Sequence, residues 1–246
     1  MTPAGQRRDY RQDVRCAHLA AYRVRVRETD VQVQAEKALP ALTRNVILEC
    51  RGYIERYIER FPEFGTTLSP WRLRGPAPAI VRDMVRAAAA AGVGPMAAVA
   101  GAVAEYTARR LLSHSREVIV ENGGDIFLKT RTPLTVGLLA PTSALKMHLG
   151  IRLPAGDPLA VCTSSGRIGH SFSFGRADAV CVVSASGALS DAAATAIGNR
   201  VRGRADIRAA IESGRRIPGL DGIVVVCGGG LGMWGALELV ELGKKG

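Results

Sequence analysis

The chain has few aromatic residues and no basic stripe interleaved with them, which argues against a nucleic-acid-binding protein. Phe, Trp and Tyr together make up 5% of its 246 residues. The net charge is +11, but the arginines that supply most of it are scattered along the sequence. Nucleic-acid interfaces instead collect basic side chains on one face and often add aromatics that stack on the bases. Attraction of an anionic nucleotide or another acidic small molecule explains part of the charge better.

The cysteines form no CxxC pair, and no apolar segment follows the basic residues near the start of the sequence. The five cysteines are an odd number, which is not typical of a disulfide framework. A secretory signal has an apolar stretch of about 7–15 residues after its basic region. The residues after Arg7 and Arg8 are mostly polar. The sequence therefore predicts a cytoplasmic protein with reduced thiols.

The chain also lacks a run of strongly apolar side chains that would suit a membrane. Residues 87–104 are mostly alanine and glycine, with Pro95 among them and charged Arg86 and Glu105 close by. Leu, Ile, Phe and Val drive membrane insertion, and this stretch contains few of them. We expect buried, closely packed helix here and no membrane partner.

Secondary-structure patterns occur in blocks along the chain. Helical spacing of apolar residues marks residues 42–61, 78–90, 94–112, 189–200 and 204–213. A strand pattern marks residues 22–34, where a hairpin places Arg23, Arg25 and Arg27 on a solvated face. Further strands are predicted at residues 117–121, 125–129, 134–139, 147–153, 159–163, 177–184 and 222–227. This order predicts an α+β fold, a mainly antiparallel sheet packed with helices, in a single domain over residues 1–246.

A glycine motif, Gly230-x-Gly232-x-x-Gly235, follows the last of these strands. A dinucleotide-binding fingerprint also needs a helix, a second strand and an acidic residue about twenty residues further on. The sequence continues only to Gly246, so we reject that interpretation. We expect instead a glycine turn that packs the C-terminal segment against the rest of the chain.

An alanine-rich segment carries the first candidate site. Asp191 and Thr195 lie four residues apart in a run that favours helix, so their oxygen atoms share one face. Mg²⁺ takes oxygen ligands, usually one or two carboxylates together with substrate phosphates. Ser190 or Asp191 is equally compatible with the N-cap of that helix.

A second segment is the tetrad Asn122, Gly123, Gly124 and Asp125 between two predicted strands. It suits a hairpin turn that requires positive φ. The two glycines also let backbone N–H groups approach an anion, with Asp125 available for a hydroxyl, an amine or a metal.

A third segment consists of Thr163, Ser164, Ser165 and Gly166, with His170 four residues later. A hydroxyl-rich run that ends in glycine after an apolar strand is compatible with a phosphate cradle or with an ordinary loop.

Together the three segments resemble the ApbE-like superfamily, whose known members are FAD-dependent, Mg²⁺-requiring FMN transferases. Those enzymes carry an Asn-x-Gly-Gly-Asp turn, an Ala-Thr-Ser-Gly loop with a later His, and an Asp-Ala-x-Ala-Thr-Ala helix. Residues 93–97, 120–125, 169–175 and 188–201 are also similar to a compact family within that superfamily, and this resemblance covers nearly the whole chain. The loop here has one additional residue, and no Asp-Pro-x-Thr-Gly sequence follows His170.

The resemblance implies a site for FAD or a related nucleotide pyrophosphate and for Mg²⁺. Asp191 and Thr195 would hold the ion, and His170 or Asp125 would accept the proton of an attacking hydroxyl on an acceptor. The implied nucleotide-binding residues are Asn122, Gly123, Gly124, Asp125, Thr163, Ser164, Ser165 and Gly166.

Two alternatives stay open. Members of the compact family are associated with anaerobic sulfur assimilation toward homocysteine, so the resemblance also implies an accessory role there, with Cys162 or Cys227 as a persulfide carrier. It is equally compatible with a flavin-binding module that has no catalytic activity. The sequence identifies neither an acceptor or partner protein nor a homo-oligomer.

Overall fold

A computed structural model of the chain describes residue 14 and residues 16–138, 149–165 and 175–242. Its strands are β1 (Ala20–Val26), β2 (Thr29–Ala35), β3 (Val118–Asn122), β4 (Asp125–Lys129), β5 (Leu134–Leu138), β6 (Leu149–Leu153), β7 (Leu159–Ser164), β8 (Ala179–Ser184), β9 (Leu220–Cys227), β10 (Gly230–Gly235) and β11 (Glu238–Glu241). Its α-helices are α1 (Pro40–Arg60), α2 (Ala79–Ala91), α3 (Val99–Leu111), α4 (Gly187–Gly198) and α5 (Ile207–Gly214). Short 3-10 helices lie at Pro62–Gly65, Pro95–Ala98 and Arg204–Asp206.

The strands form two sheets in which every described pairing is antiparallel. The larger sheet has eight strands in the order β1-β2-β3-β4-β7-β8-β9-β10, so β1 and β10 are its edges. The smaller sheet has three strands in the order β11-β6-β5. The α+β fold with a mainly antiparallel sheet is therefore confirmed.

The eight-stranded sheet lies between a helical layer and the smaller sheet. Side chains alternate across a strand, and β8 shows the consequence. Val180 and Val182 pack with residues of α2 and α4, whereas Cys181 and Val183 pack with Ile151 and other residues of the smaller sheet. Both faces of β8 are buried, which explains its continuous apolar sequence.

The predicted elements are found close to their expected positions, with the hairpin turn of β1 and β2 at Arg27 and Glu28. Arg23, Arg25 and Arg27 are exposed, as predicted. No single helix in the described residues is long and apolar enough to span a membrane. The segments Ala79–Ala91 and Pro95–Leu111 reach that length and composition only as a pair, across a bend of 105°.

The interpretation of the Gly230–Gly235 motif as a turn is wrong, because these residues form β10. The turn that precedes it is made by Gly228 and Gly229, whose φ angles are 55° and 75°. The motif glycines allow close packing instead. A Cβ atom on Gly232 would lie 2.5 Å from Cγ2 of Ile207, so a larger residue would push α5 away from the sheet.

Candidate functional site

The hairpin between β3 and β4 places the Asn122–Asp125 tetrad at one end of the large sheet. Gly123 and Gly124 have φ angles of 69° and 110°, which confirms the expected positive-φ turn. Asn122 and Asp125 face each other as the last pair of the hairpin and are 9% and 7% exposed. The backbone N–H of Gly124 donates to Oε1 of Glu121 at 2.8 Å, which fixes the turn.

Helix α4 carries Asp191 on the face that meets α3. Its N-cap is Ser186, whose Oγ accepts the N–H of Leu189 at 3.3 Å. The N-cap alternative for Ser190 or Asp191 is therefore wrong, since the helix begins several residues earlier. Thr195 is 9% exposed and lies one turn after Asp191, as the i, i+4 spacing predicts.

Two glycines let α3 and α4 cross with their backbones in contact. A Cβ atom on Gly101 would lie 2.2 Å from the carbonyl oxygen of Gly187, and one on Gly187 would lie 2.3 Å from that of Gly101. Neither distance is compatible with a side chain, so glycine is required at both positions. The crossing brings the first turn of α3 against Asp191.

Glu105 was not recognised from the sequence, although it holds the beginning of α4. Its Oε2 accepts the N–H of Gly187 at 2.7 Å and the hydroxyl of Ser186 at 3.3 Å. Its Oε1 accepts Nε of Arg109 at 2.8 Å. A carboxylate at a helix N-terminus satisfies N–H groups that have no partner within the helix. In the sequence, Glu105 directly follows the alanine- and glycine-rich residues 87–104. This position suggests a buried carboxylate but does not show which group it contacts.

The first turn of α3 joins the hairpin to α4. Nδ2 of Asn122 donates to the carbonyl oxygen of Ala100 at 3.0 Å. The next N–H, that of Gly101, donates to Oδ2 of Asp191 at 2.9 Å. Asn122 and Asp191, which are far apart in the sequence, are therefore held by the neighbouring residues Ala100 and Gly101.

Strand β7 brings the third segment to the same place. The N–H of Thr163 donates to Oδ1 of Asp125 at 3.2 Å. Thr163 and Ser164 are half-buried at the end of β7, and Ser165 follows directly. Gly166 and His170 lie outside the described residues. The structure therefore brings together Asn122, Asp125, Thr163 and Asp191 from the three predicted segments.

Burial dominates the electrostatics of the two aspartates, and for Asp125 the charge of Asp191 adds to it. Burial raises the pKa of Asp191 from its ordinary 3.8 to about 7, while N–H groups of Gly101 and Ala100 act in the opposite direction. Burial, and then the negative charge of Asp191, raise the pKa of Asp125 well above its ordinary value. Within the part of the chain that the structure describes, no basic side chain is paired with either carboxylate.

This donor set fits a divalent cation that shares its coordination with a phosphate ligand. A cation beside Asp125 and Asp191 would favour the charged form of both carboxyls and so oppose the effect of burial on their pKa values. The described residues contain no group of three or more His, Cys, Asp or Glu side chains that could hold a metal ion. Mg²⁺ does not require such a group, because it is commonly bound by one or two carboxylates plus substrate phosphates and water.

The thiols near the site are poorly suited to sulfur transfer. Cys162 is fully buried, and its Sγ donates to the carbonyl oxygen of Gly187 at 3.5 Å. Burial, and then the charges of Asp125 and Asp191, raise the pKa of its thiol. Cys227 is 4% exposed. A reactive cysteine needs access and a stabilised thiolate, and Cys162 has neither.

The chain is similar over most of its length to one protein family and to proteins of methanogenic archaea. The family model described as AbpE bacteria matches residues 12–233. A UPF0280 protein of Methanocaldococcus jannaschii is 41% identical over 231 residues, which cover 91% of this chain and 94% of that protein. A UPF0280 protein of Methanococcus aeolicus is 38% identical over 231 residues, with 91% and 93% covered.

Solved structures with the same fold are much more distant in sequence. The flavin transferase ApbE from Vibrio cholerae superposes with a TM-score of 0.60 at 13% identity, covering 88% of this chain and 96% of that one. The apo form of the Pseudomonas stutzeri flavinyl transferase ApbE has a TM-score of 0.57 at 14% identity, covering 88% and 94%. At these identities the likeness shows the fold alone.

Proposed function

This chain belongs to the family described as AbpE bacteria, and on that premise we propose that it binds FAD, or a related nucleotide pyrophosphate, with Mg²⁺ and acts as an FMN transferase. One observation carries the proposal. Asp125 and Asp191, from two of the three segments, lie close enough for the charge of one to raise the pKa of the other. They do so beside the hydroxyl-bearing end of β7.

Each segment has a role in this proposal. Asp191 and Thr195 would hold the ion from one face of α4, and Asp125 would add a second carboxylate. Asn122, Gly123 and Gly124 line the nucleotide cleft, together with the residues at the end of β7, namely Thr163, Ser164, Ser165 and Gly166. Bound Mg²⁺ would offset the charge on the phosphoryl oxygens.

In this proposal a side chain of this protein accepts the proton. We propose Asp125 or His170 as the acceptor of the proton from the attacking hydroxyl. The N–H of Thr163 donates to Oδ1 of Asp125 at 3.2 Å and orients this carboxylate at the end of β7. We propose that the acceptor supplies a hydroxyl group, and the likeness in fold to a flavin transferase and a flavinyl transferase supports a transfer reaction.

Release of AMP from FAD tests cleavage of the pyrophosphate. The purified chain is incubated with FAD and Mg²⁺, with water in the place of the acceptor hydroxyl, so that FAD is cleaved to FMN and AMP, and AMP is measured by chromatography. We expect release that requires Mg²⁺ and that falls at least about 100-fold in Asp125→Asn and Asp191→Asn. Asp157→Asn, at an exposed aspartate between β6 and β7, is the matched control and keeps its activity. Equal AMP release by all four proteins would contradict the assigned site.

The alternatives predict different results in the same experiment. Mg²⁺-dependent binding of FAD without AMP release would identify a flavin-binding module. No binding would favour the accessory role in sulfur assimilation toward homocysteine, in which the protein docks a partner. A cytoplasmic location is part of the proposal, and the five free cysteines are compatible with it.

A further inference from the structure

A second surface of the molecule is a groove between α5 and the edge strand β10. It encloses about 440 Å³. Its floor includes the backbone of Gly230 and Gly232, and Ile207 and Ile211 of α5 form one side. Trp234 lies at its far end, with the guanidinium of Arg215 5.9 Å from the centre of its ring.

The edge strand beside this groove carries no charge. Among the described residues, β9 is the only strand that pairs with β10. The opposite edge differs, because β1 presents Arg23 and Arg25 to solvent. Charged side chains on an edge strand discourage pairing with another chain, and β10 has neither a charge nor a proline.

The register of β10 shows which groups face outward. The two-residue turn at Gly228 and Gly229 makes Cys227 and Gly230 the first pair of the ladder. Hydrogen bonds to β9 then recur at every second residue, so the backbone N–H and C=O groups of Leu231 and Met233 point to the open edge. The side chains of these two residues are 40% and 42% exposed.

The charge along the groove is positive. Arg204, Arg208 and Arg215 lie along it, with Glu212 as its one acidic residue. Glu212 already accepts NH1 of Arg215 at 3.0 Å. In the described residues Arg204 and Arg208 are exposed and form no ion pair with an acidic side chain. A second copy of this positively charged groove would be repelled, which favours a different partner.

We propose that β10 binds an extended segment of a partner protein, in which acidic residues alternate with apolar residues, as an added ninth strand. Alternate side chains of an added strand lie on opposite faces of the sheet. The acidic residues would lie on the α5 face beside Arg204 and Arg208. The apolar residues would lie on the other face beside Leu231 and Met233. This surface is independent of the proposed flavin site.

A synthetic probe tests the proposal on the full chain. It is an eight-residue, fluorescein-labelled peptide in which glutamate and valine alternate, and binding is measured by fluorescence anisotropy. We expect saturable binding that weakens as salt is raised, since exposed ion pairs are screened. The double variant Arg204→Glu, Arg208→Glu should bind about tenfold more weakly or worse. Arg25→Glu, on the opposite edge, is the matched control and should bind as the unaltered chain does.

Two further peptides separate strand addition from simple charge attraction. N-methylation of all valine amides removes the hydrogen-bond donors on one edge of the peptide, and methylation of all glutamate amides removes those on the other. One of the two peptides should lose binding and the other should retain it. Equal loss or equal retention overturns strand addition.

Three other results overturn the proposal. They are no binding at peptide concentrations up to about 1 mM, equal binding of a lysine–valine peptide, and unchanged binding by the double arginine variant. Sedimentation of the unaltered chain tests whether a second copy of the chain occupies this edge instead. A dimer that Met233→Lys dissociates would identify a second copy as the partner and would also overturn it.

Discussion

Gly101 of α3 and Gly187 of α4 touch backbone to backbone, and this contact fixes the position of Asp191. A Cβ atom on Gly101 would lie 2.8 Å from Cβ of Asp191 as well as 2.2 Å from the carbonyl oxygen of Gly187. The close crossing also allows the N–H of Gly101 to reach Oδ2 of Asp191. The site therefore depends on two residues that have no side chain.

Gly187→Ala should destabilise the protein by about 2 kcal/mol or more, because the added methyl group meets backbone atoms that cannot rotate away. Urea denaturation followed by circular dichroism measures the change. Gly203→Ala is the control, since no atom lies within 4 Å of a Cβ there and its backbone is extended. It should change stability by less than about 0.5 kcal/mol. Equal effects of the two variants would contradict the close crossing.

Glu105→Ala should cost about 1–3 kcal/mol, because it leaves the buried N–H of Gly187 without its acceptor. The same denaturation experiment measures this loss. Glu212→Ala removes a carboxylate whose ion pair with Arg215 is on the surface. Such pairs contribute about 0–1 kcal/mol, so this control should remain close to the unaltered chain. A Glu105 variant as stable as the control would show that the carboxylate does not hold the beginning of α4.

Asp191 should make the stability of the metal-free protein fall as pH rises from about 4 to about 7. The folded chain retains a proton on this carboxyl up to about pH 7, whereas the unfolded chain releases it near the ordinary pKa of 3.8. The unfolded state therefore binds fewer protons over this range, and the free energy of unfolding decreases with pH. Urea denaturation in EDTA at several pH values measures the slope. Asp191→Asn should make the slope smaller, with Asp125 contributing what remains because its pKa is also raised, and an unchanged slope would contradict the assignment.

The thiols should react very unequally with a disulfide reagent at pH 8. Burial raises the pKa values of Cys50 and Cys181 to about 12, and Cys162 is also buried. Cys16 is half-buried whereas the other four are buried, so it should react first, although burial and the charge of Glu117 raise its pKa, and Cys16→Ser should remove that reaction. In urea all five cysteines should react. A second fast thiol that is lost in Cys162→Ser or Cys227→Ser would instead support the sulfur-carrier alternative.

The sequence predicts elements and turns that depend on neighbouring residues. A two-residue hairpin turn requires positive φ, which Gly123 and Gly124 adopt readily. The spacing of Asp191 and Thr195 defines a helix face without any partner. The α+β class follows from the order of such elements.

Contacts between distant segments were not predictable in the same way. Glu105 and Gly187 are 82 residues apart, and no local pattern joins them. The smaller sheet pairs β11 with β6, which precedes it by many residues, so its strand order is a property of the folded chain. The Gly230–Gly235 motif was misinterpreted as a turn because glycine also permits close packing of a helix on a strand. Gly166 and His170 remain predictions from the resemblance.

Equilibrium binding of FAD, with and without Mg²⁺, tests the central claim most directly. Calorimetric titration compares the unaltered chain, Asp191→Asn and the Asp157→Asn control, each in Mg²⁺ and in EDTA. The account predicts saturable binding that requires Mg²⁺ in the unaltered chain and in the control, and that is lost in Asp191→Asn. FAD binding of equal strength in Mg²⁺ and in EDTA, unchanged by Asp191→Asn, would contradict it.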